Sequence, residues 1–208
     1  MEDSPPKLKK RTTRKQTKRA EKKQQIAQSA LVALRELGYA NTSLRDIAGK
    51  SDLSLGMLHY YFEDRTDLII YCVQTYKQTF SERLFDAIED VGSATELIEK
   101  LADAIAASIV DDARTHRLWY DIRNQAQFDP AFQPVVTNVE AMLIDVVAQA
   151  VCRAGLTPEL PQELWYPTLD GVFQFHMQRR LQGAGLSRAE IRKSFATLMC
   201  HLFVSRSG

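Results

Sequence analysis

Between Thr42 and Arg65 the chain gathers side chains suited to holding oxyanions. There are hydroxyls at Thr42, Ser43 and Ser54, guanidiniums at Arg45 and Arg65, an imidazole at His59 and phenols at Tyr60 and Tyr61. Hydroxyls and free backbone N–H groups at a helix start bind phosphate. The same hydroxyls also act as plain helix caps, and one residue can do both. Arg45 offers parallel donors that match a phosphate or the O6 and N7 edge of guanine, with a surface ion pair to Asp46 or Glu36 as the alternative. Gly56 has no side chain to hold a partner off, and Leu55 and Met57 beside it offer apolar contact of the kind a thymine methyl accepts.

The rest of the chain does not supply a catalytic constellation. It has no glycine-rich phosphate loop, no HExxH and no GxSxG, so we assign no catalytic residue and expect no cofactor. Asp111, Asp112 and His116 have spacing that a metal pair could use, but an ion-paired surface explains them as well, and we assign no metal site. Cys72, Cys152 and Cys200 stand far apart without a CxxC pair, which excludes a disulfide scaffold and points to reduced thiols in a cytoplasmic protein. No apolar run approaches the ~18 residues of a membrane span, and the polar, basic start does not read as a secretory signal.

A net charge of +1 over 208 residues conceals an asymmetry. Residues 1–25 carry ten Lys/Arg against three acids, whereas residues 66–208 carry 13 basic and 18 acidic groups. A basic front and an acidic rear fit a polyanionic partner for the front alone, or a solvated tail that serves solubility.

The elements that must position these residues are helical throughout. Residues 1–18 lack apolar periodicity and are expected to be a disordered basic tail. Ile26, Ala30, Ala33, Leu34 and Leu37 mark one helix face, which Gly38 ends. Ser43 with Asp46 has the form of a capping box for a second, short helix. Ser54 caps a third that runs to about Phe62, and Asp64 a fourth. Leu58 and Phe62 fall to the core. Three short helices with a tight turn at Asp52 have helix-turn-helix geometry, in which the third enters the major groove. Beyond residue 66 every stripe has helical period and none has period two. The fold class is therefore all-α, with about nine helices. Residues 19–65 form the helix-turn-helix domain and residues 66–208 a larger one.

Thr42-Ser43-Leu44-Arg45-Asp46-Ile47-Ala48, Leu53 through Phe62, and Arg65-Thr66-Asp67-Leu68 together resemble the TetR family of transcriptional regulators over about residues 20–70. Gly56-Met57-Leu58-His59-Tyr60-Tyr61-Phe62 looks most like its BetI-like branch. The resemblance implies a homodimer that binds a double-stranded DNA operator through Thr42, Ser43, Arg45, Ser54, Leu55, Gly56, Met57, His59, Tyr60, Tyr61 and Arg65. Asp52 stands where the family turn commonly has glycine, and aspartate tolerates the left-handed conformation required there. Arg65 stands where the family usually has lysine and is expected to pin a phosphate. The tail is expected to add affinity rather than specificity, or to stay uninvolved.

The larger domain would then bind a small-molecule effector. Trp119, Tyr120, Arg123, Gln127, Phe128, Phe173 and His176 combine aromatic walls with a few polar groups, and Arg123 suits a carboxylate or phosphate. Core packing competes for Trp119, Phe173 and His176. Phe175, Leu181, Phe195, Leu198, Met199 and Leu202 are candidates for a four-helix dimer interface. The implied function is a repressor released by its effector. The alternative is a helical scaffold whose basic tail binds non-specifically.

Overall fold

The computed structural model describes residues 6–40 and 42–203, with side chains described from residue 17. Among the described residues there is no strand. The elements are α1 (Pro6–Leu37), α2 (Leu44–Lys50), α3 (Leu55–Tyr61), α4 (Arg65–Glu89), α5 (Ala94–Gln125), α6 (Gln133–Arg153), α7 (Trp165–Leu181) and α8 (Arg188–Phe203). Single 3-10 turns precede α6 and α7.

Two expectations need correction. Helix α1 starts at Pro6, so residues 6–18 are helical rather than disordered; residues 1–5 lie outside the described residues. That stretch lacks an apolar face, but Lys, Arg and Gln have high helix propensity, no Gly or Pro follows Pro6, and proline suits a first helical turn. The second concerns the helix count. The two helices expected over 93–128 run together as α5 and divide at a kink, where Asp112 has non-helical torsions (φ −119°, ψ 16°). No proline or glycine lies near enough to separate them by a loop, so the chain bends there and continues.

The chain divides into two compact units, one ending at Thr75 and the other beginning at Tyr76. The boundary falls inside α4 rather than after Arg65. In the first unit, Ile26, Ala30, Ala33 and Leu34 of α1 are buried with Ile47, Leu58, Phe62, Leu68 and Ile69. Each large side chain so buried contributes roughly 1.5–3 kcal/mol. Gly38 ends α1 at φ 80°, with its N–H donating to the Leu34 carbonyl at 2.9 Å. The turn between α2 and α3 holds Asp52 at φ 49°, the left-handed conformation expected of it.

In the second unit α5 packs against α6, α7 and α8. Its buried face runs from Leu97 through Ile109 to Trp119 and Ile122. Phe173 and Met177 of α7 and Ile191, Phe195 and Met199 of α8 are also buried. The segment Pro130–Arg153 is long and apolar enough to cross a membrane by length and composition. Here its apolar positions Val135, Val139, Leu143, Val146 and Val147 are buried within the unit.

Candidate nucleic-acid interface and ligand cavity

Helix α2 begins with a complete capping box. The Asp46 N–H donates to Ser43 Oγ at 3.2 Å, and the Ser43 N–H donates to Asp46 Oδ2 at 2.8 Å. The Ser43 hydroxyl also donates to that carboxylate at 2.5 Å. Hydrogen bonds from Ser43 hold the Asp46 carboxyl below its ordinary pKa. Ser43 is therefore a cap in this structure. Arg45 is exposed, and among the described residues no ion pair joins it to Asp46 or to Glu36, which pairs with Lys50 at 2.6 Å. The Arg45 charge still helps hold the Asp46 carboxyl down, after the Ser43 hydrogen bonds.

Helix α3 is capped by Ser54, whose hydroxyl accepts the Met57 N–H at 3.1 Å. With Leu58 fully buried, the helix turns Gly56, His59 and Tyr60 outward, and Leu55, Met57 and Tyr61 are half-buried. Tyr60 is 70% exposed and meets Tyr61 edge-to-face at 5.0 Å. A Cβ built on Gly56 would meet nothing within 4 Å, so no neighbour in the chain requires glycine there.

Thr42 and Arg65 both bond inside the fold. Thr42 is 3% exposed, and its hydroxyl donates to the Gly38 carbonyl. Arg65 donates from Nε to the Thr42 carbonyl and from Nη2 to the Tyr39 carbonyl, and its guanidinium lies 4.5 Å over the Tyr39 ring. Both residues tie the start of α4 to the loop after α1. The buried Thr42 hydroxyl is thereby taken up inside the fold, whereas the half-buried Arg65 guanidinium keeps donors beyond the two it uses there.

Two basic residues escaped the sequence reading. Arg19 and Lys23 line a concave surface with His59, Tyr60, Tyr61 and Thr66. Lys23 Nζ sits 4.7 Å from the Phe62 ring centre, 4.6 Å from that of Tyr71 and 3.9 Å from Asp67 Oδ1. The signal was present, since residues 19, 23, 26 and 30 share one helical face. The apolar members of the stripe mark the core and do not single out these two among the ten basic residues of 1–25.

The second unit holds a cavity of about 60 Å³, walled mainly by Phe80, Leu84, Leu101, Ile105, Leu143, Val146, Val147 and Phe173. Its polar lining is Lys77, Tyr120, Tyr166 and Asp170. Lys77 is 2% exposed, and burial holds its ammonium down to about 7. Nζ lies 5.1 Å from the ring centres of Phe80 and Trp119 and 5.7 Å from that of Tyr76. Asp170 accepts from the Tyr120 hydroxyl at 2.8 Å and from Arg123 Nη1 at 2.5 Å. Arg123 Nε also lies 3.4 Å from Glu140. The Tyr166 hydroxyl is buried beside Asp170 without a well-aligned hydrogen bond.

Of the residues expected around an effector, Tyr120 and Phe173 line this cavity and Arg123 braces its polar end. Trp119 is fully buried and flanks Lys77. Gln127 and Phe128 are exposed, Phe128 at 82%, and they do not join the lining. They follow the end of α5, where the helical face that carries Trp119 and Arg123 no longer runs on. His176 faces Ser194 at 3.3 Å and the rings of Phe175 and Phe195, outside the lining. The sequence could not announce Lys77, Tyr166 or Asp170, since a lone lysine in an apolar stripe reads as a surface residue.

The interface candidates also divide. Phe195 and Met199 are fully buried in their own unit. Phe175 is 58% exposed, and Leu181, Leu198 and Leu202 are half-buried, so these four keep apolar surface to offer. His116 is buried against the Tyr76 hydroxyl at 2.7 Å and Ser108 at 2.5 Å, while Asp112 pairs with Arg83 at 3.2 Å. No group of three metal-ligating side chains occurs among the described residues. Cys72 is buried, with its thiol pushed up by burial; Cys152 and Cys200 are exposed, and all three are free.

No family model matches the chain. Its relatives include helix-turn-helix regulators of transcription. One is PksA of Bacillus subtilis, 20% identical across 76% of this chain and 80% of that one. Another is the repressor KstR2 of Mycolicibacterium smegmatis, 23% identical across 86% and 89%. Among solved structures, a TetR-family regulator from Haloarcula marismortui superimposes with a TM-score of 0.73 at 17% identity, over 88% of this chain and 99% of that one. A regulator from Saccharomonospora viridis in complex with choline gives 0.74 at 16%, over 90% and 100%. FadR of Bacillus subtilis in complex with stearoyl-CoA gives 0.68 at 15%, over 85% and 96%. All five are regulators of transcription, and the fold is theirs.

Proposed function

We propose that the chain is a TetR-type, sequence-specific DNA-binding regulator that represses transcription until a small molecule releases it. The observation that carries this reading is the outer face of α3. Its caps are satisfied internally, its core residue is buried, and Gly56, His59 and Tyr60 are left outward with Arg45 beside them on α2. None of these outward residues is needed to hold the fold. They suit a duplex, with Gly56 permitting close approach, Arg45 reading a guanine edge or a phosphate, and Tyr60 donating to a phosphate. Ser43 and Ser54 bring helix starts, Leu55 and Met57 apolar contact, and Arg19 and Lys23 positive charge. The stretch from Gly56 to Phe62 favours the BetI-like branch.

The unit reads DNA as a homodimer, with α7 and α8 of each protomer meeting through Phe175, Leu181, Leu198 and Leu202. Two recognition helices then lie about 34–36 Å apart, or a multiple, to enter successive major grooves. Helix α4 belongs to both units, through residues 65–75 and 76–89. A ligand held at Lys77 therefore acts on the helix whose first residue fixes the loop before α2. A coupling of about 1–3 kcal/mol suffices to weaken operator binding. Relatives of the same fold that hold choline or stearoyl-CoA support a small-molecule response in the cytoplasm.

A gel-shift on the upstream region of the protein's own gene, run across a salt series, tests the reading. Retention of one fragment over scrambled competitors at about 150 mM salt is expected. Sequence-blind binding that disappears at that salt would overturn it and favour the scaffold alternative.

A further inference from the structure

The cavity in the second unit buries an ammonium that no acceptor holds at hydrogen-bond distance among the described residues. Lys77 lines it and is 2% exposed, with Asp170 near enough to act on it as a counter-charge but outside ion-pair distance. Tyr166 lines it too, its hydroxyl buried beside the same Asp170 without a well-aligned hydrogen bond. Buried polar atoms are nearly always paired, and Asp170 already accepts from Tyr120 and Arg123, so the ammonium and the hydroxyl at this wall suit a further acceptor. The remaining wall is aliphatic and aromatic.

We propose that the effector is a compact apolar monocarboxylate, whose charged end is held by Lys77 Nζ and the Tyr166 hydroxyl and whose hydrocarbon part lies along Leu84, Leu101, Leu143 and Val147. This rests on reading the cavity as the effector site, and it names the ligand's chemistry. Three observations select the anion. Arg123, the obvious carboxylate receptor by chemistry, is already neutralised by Asp170 at 2.5 Å and Glu140 at 3.4 Å. Asp170 repels an incoming carboxylate little, because Tyr120 and Arg123 each donate to one of its oxygens. An organic cation is disfavoured, since the faces of Tyr76, Phe80 and Trp119 already surround the Lys77 ammonium and a like charge would be brought beside it.

The charged groups acting on Lys77 are Asp170 from α7 and Arg123 from α5; Tyr120 of α5 and Tyr166 of α7 share its cavity wall, and Glu140 of α6 reaches it only through Arg123. Arg123 is balanced by the two carboxylates, so the ligand's charge falls to Lys77. Because burial holds that ammonium down to about 7, an anion must recruit its proton above that pH. Affinity therefore falls as pH rises past about 7.

Three probes of equal length test this on the full chain, namely hexanoate, hexanamide and hexylamine, followed by calorimetry and thermal shift. Hexanoate is expected to bind about tenfold more tightly than hexanamide at pH 6, with the preference shrinking by pH 8.5, and hexylamine not to bind. Lys77→Met removes a buried charge that no acceptor holds at hydrogen-bond distance and so keeps its fold. It is expected to bind hexanoate no better than hexanamide and to lose the pH dependence, and Tyr166→Phe to lose part of the preference. A hexanoate preference that survives in Lys77→Met, tighter binding of hexylamine, or binding of none of the three would overturn the inference. The gel-shift is read separately. Selective duplex binding without hexanoate binding leaves the regulator reading standing, whereas hexanoate binding through Lys77 without duplex selectivity leaves only the cavity assignment.

Discussion

The two units treat their polar groups in opposite ways. In the first, Ser43, Ser54 and Asp64 satisfy helix starts, Thr42 and Arg65 satisfy the loop after α1, and the residues left over stand in water, where an unpaired group costs little. In the second, Lys77 and the Tyr166 hydroxyl are buried with only Asp170 near them and neither makes a well-aligned hydrogen bond, which is expensive in an interior. A surface that reads a partner needs only to be presented. If the cavity is the effector site, a ligand that satisfies these groups would bind the folded state in proportion to the cost it removes.

The largest effect that tests this contrast is a cavity-forming substitution. Trp119 is fully buried beside Lys77 and its Nε1 has no partner. Trp119→Ala should cost about 3–5 kcal/mol in urea unfolding. A cost below about 1 kcal/mol would mean that this interior is loose and that the buried polar groups beside it are not held in place.

Next comes pH. The folded-state pKa of Lys77 is about 7 against an ordinary 10.5, so between these values the unfolded chain carries a proton that the folded chain does not. Stability from this group therefore rises with pH across that window and is lowest below about 7. Urea midpoints of the unliganded wild type should gain on those of Lys77→Met between pH 7 and 10. Parallel curves would show that Lys77 reaches a partner or solvent.

Tyr60→Ala probes the opposite wall of the comparison. With 70% of its surface exposed, Tyr60 should alter stability by less than about 0.5 kcal/mol while weakening every duplex by about 1 kcal/mol. Equal gel-shift affinity for wild type and variant would remove Tyr60 from the interface.

The same contrast explains what the sequence made legible. Capping boxes, the Gly38 stop and the left-handed Asp52 are local, so the helices and the recognition segment could be read from neighbours three or four residues apart. The cavity joins Lys77, Tyr120, Tyr166 and Asp170, which local spacing cannot bring together. The expected residues at 127 and 128 were placed by continuing a helix past its end. Phe195 and Met199 were assigned to an interface because an apolar stripe does not say which of two neighbours it faces. Residues 6–18 were set down as disordered because periodicity was the test, and a helix of lysines and arginines has propensity without a face.

The smallest effect is the sharpest, because fold and function should move in opposite directions. At Gly56 a Cβ meets nothing within 4 Å, and alanine is the better helix former, so Gly56→Ala should leave stability unchanged or raise it by up to about 1 kcal/mol. If the glycine is there to let α3 approach a duplex, the added methyl will collide with the DNA and lower affinity about tenfold at fixed salt, without changing the salt slope, since no phosphate contact is removed. A variant that is more stable and binds as well would show that the open face of α3 is not pressed against anything, and the functional contrast between the two units would then rest on the cavity alone.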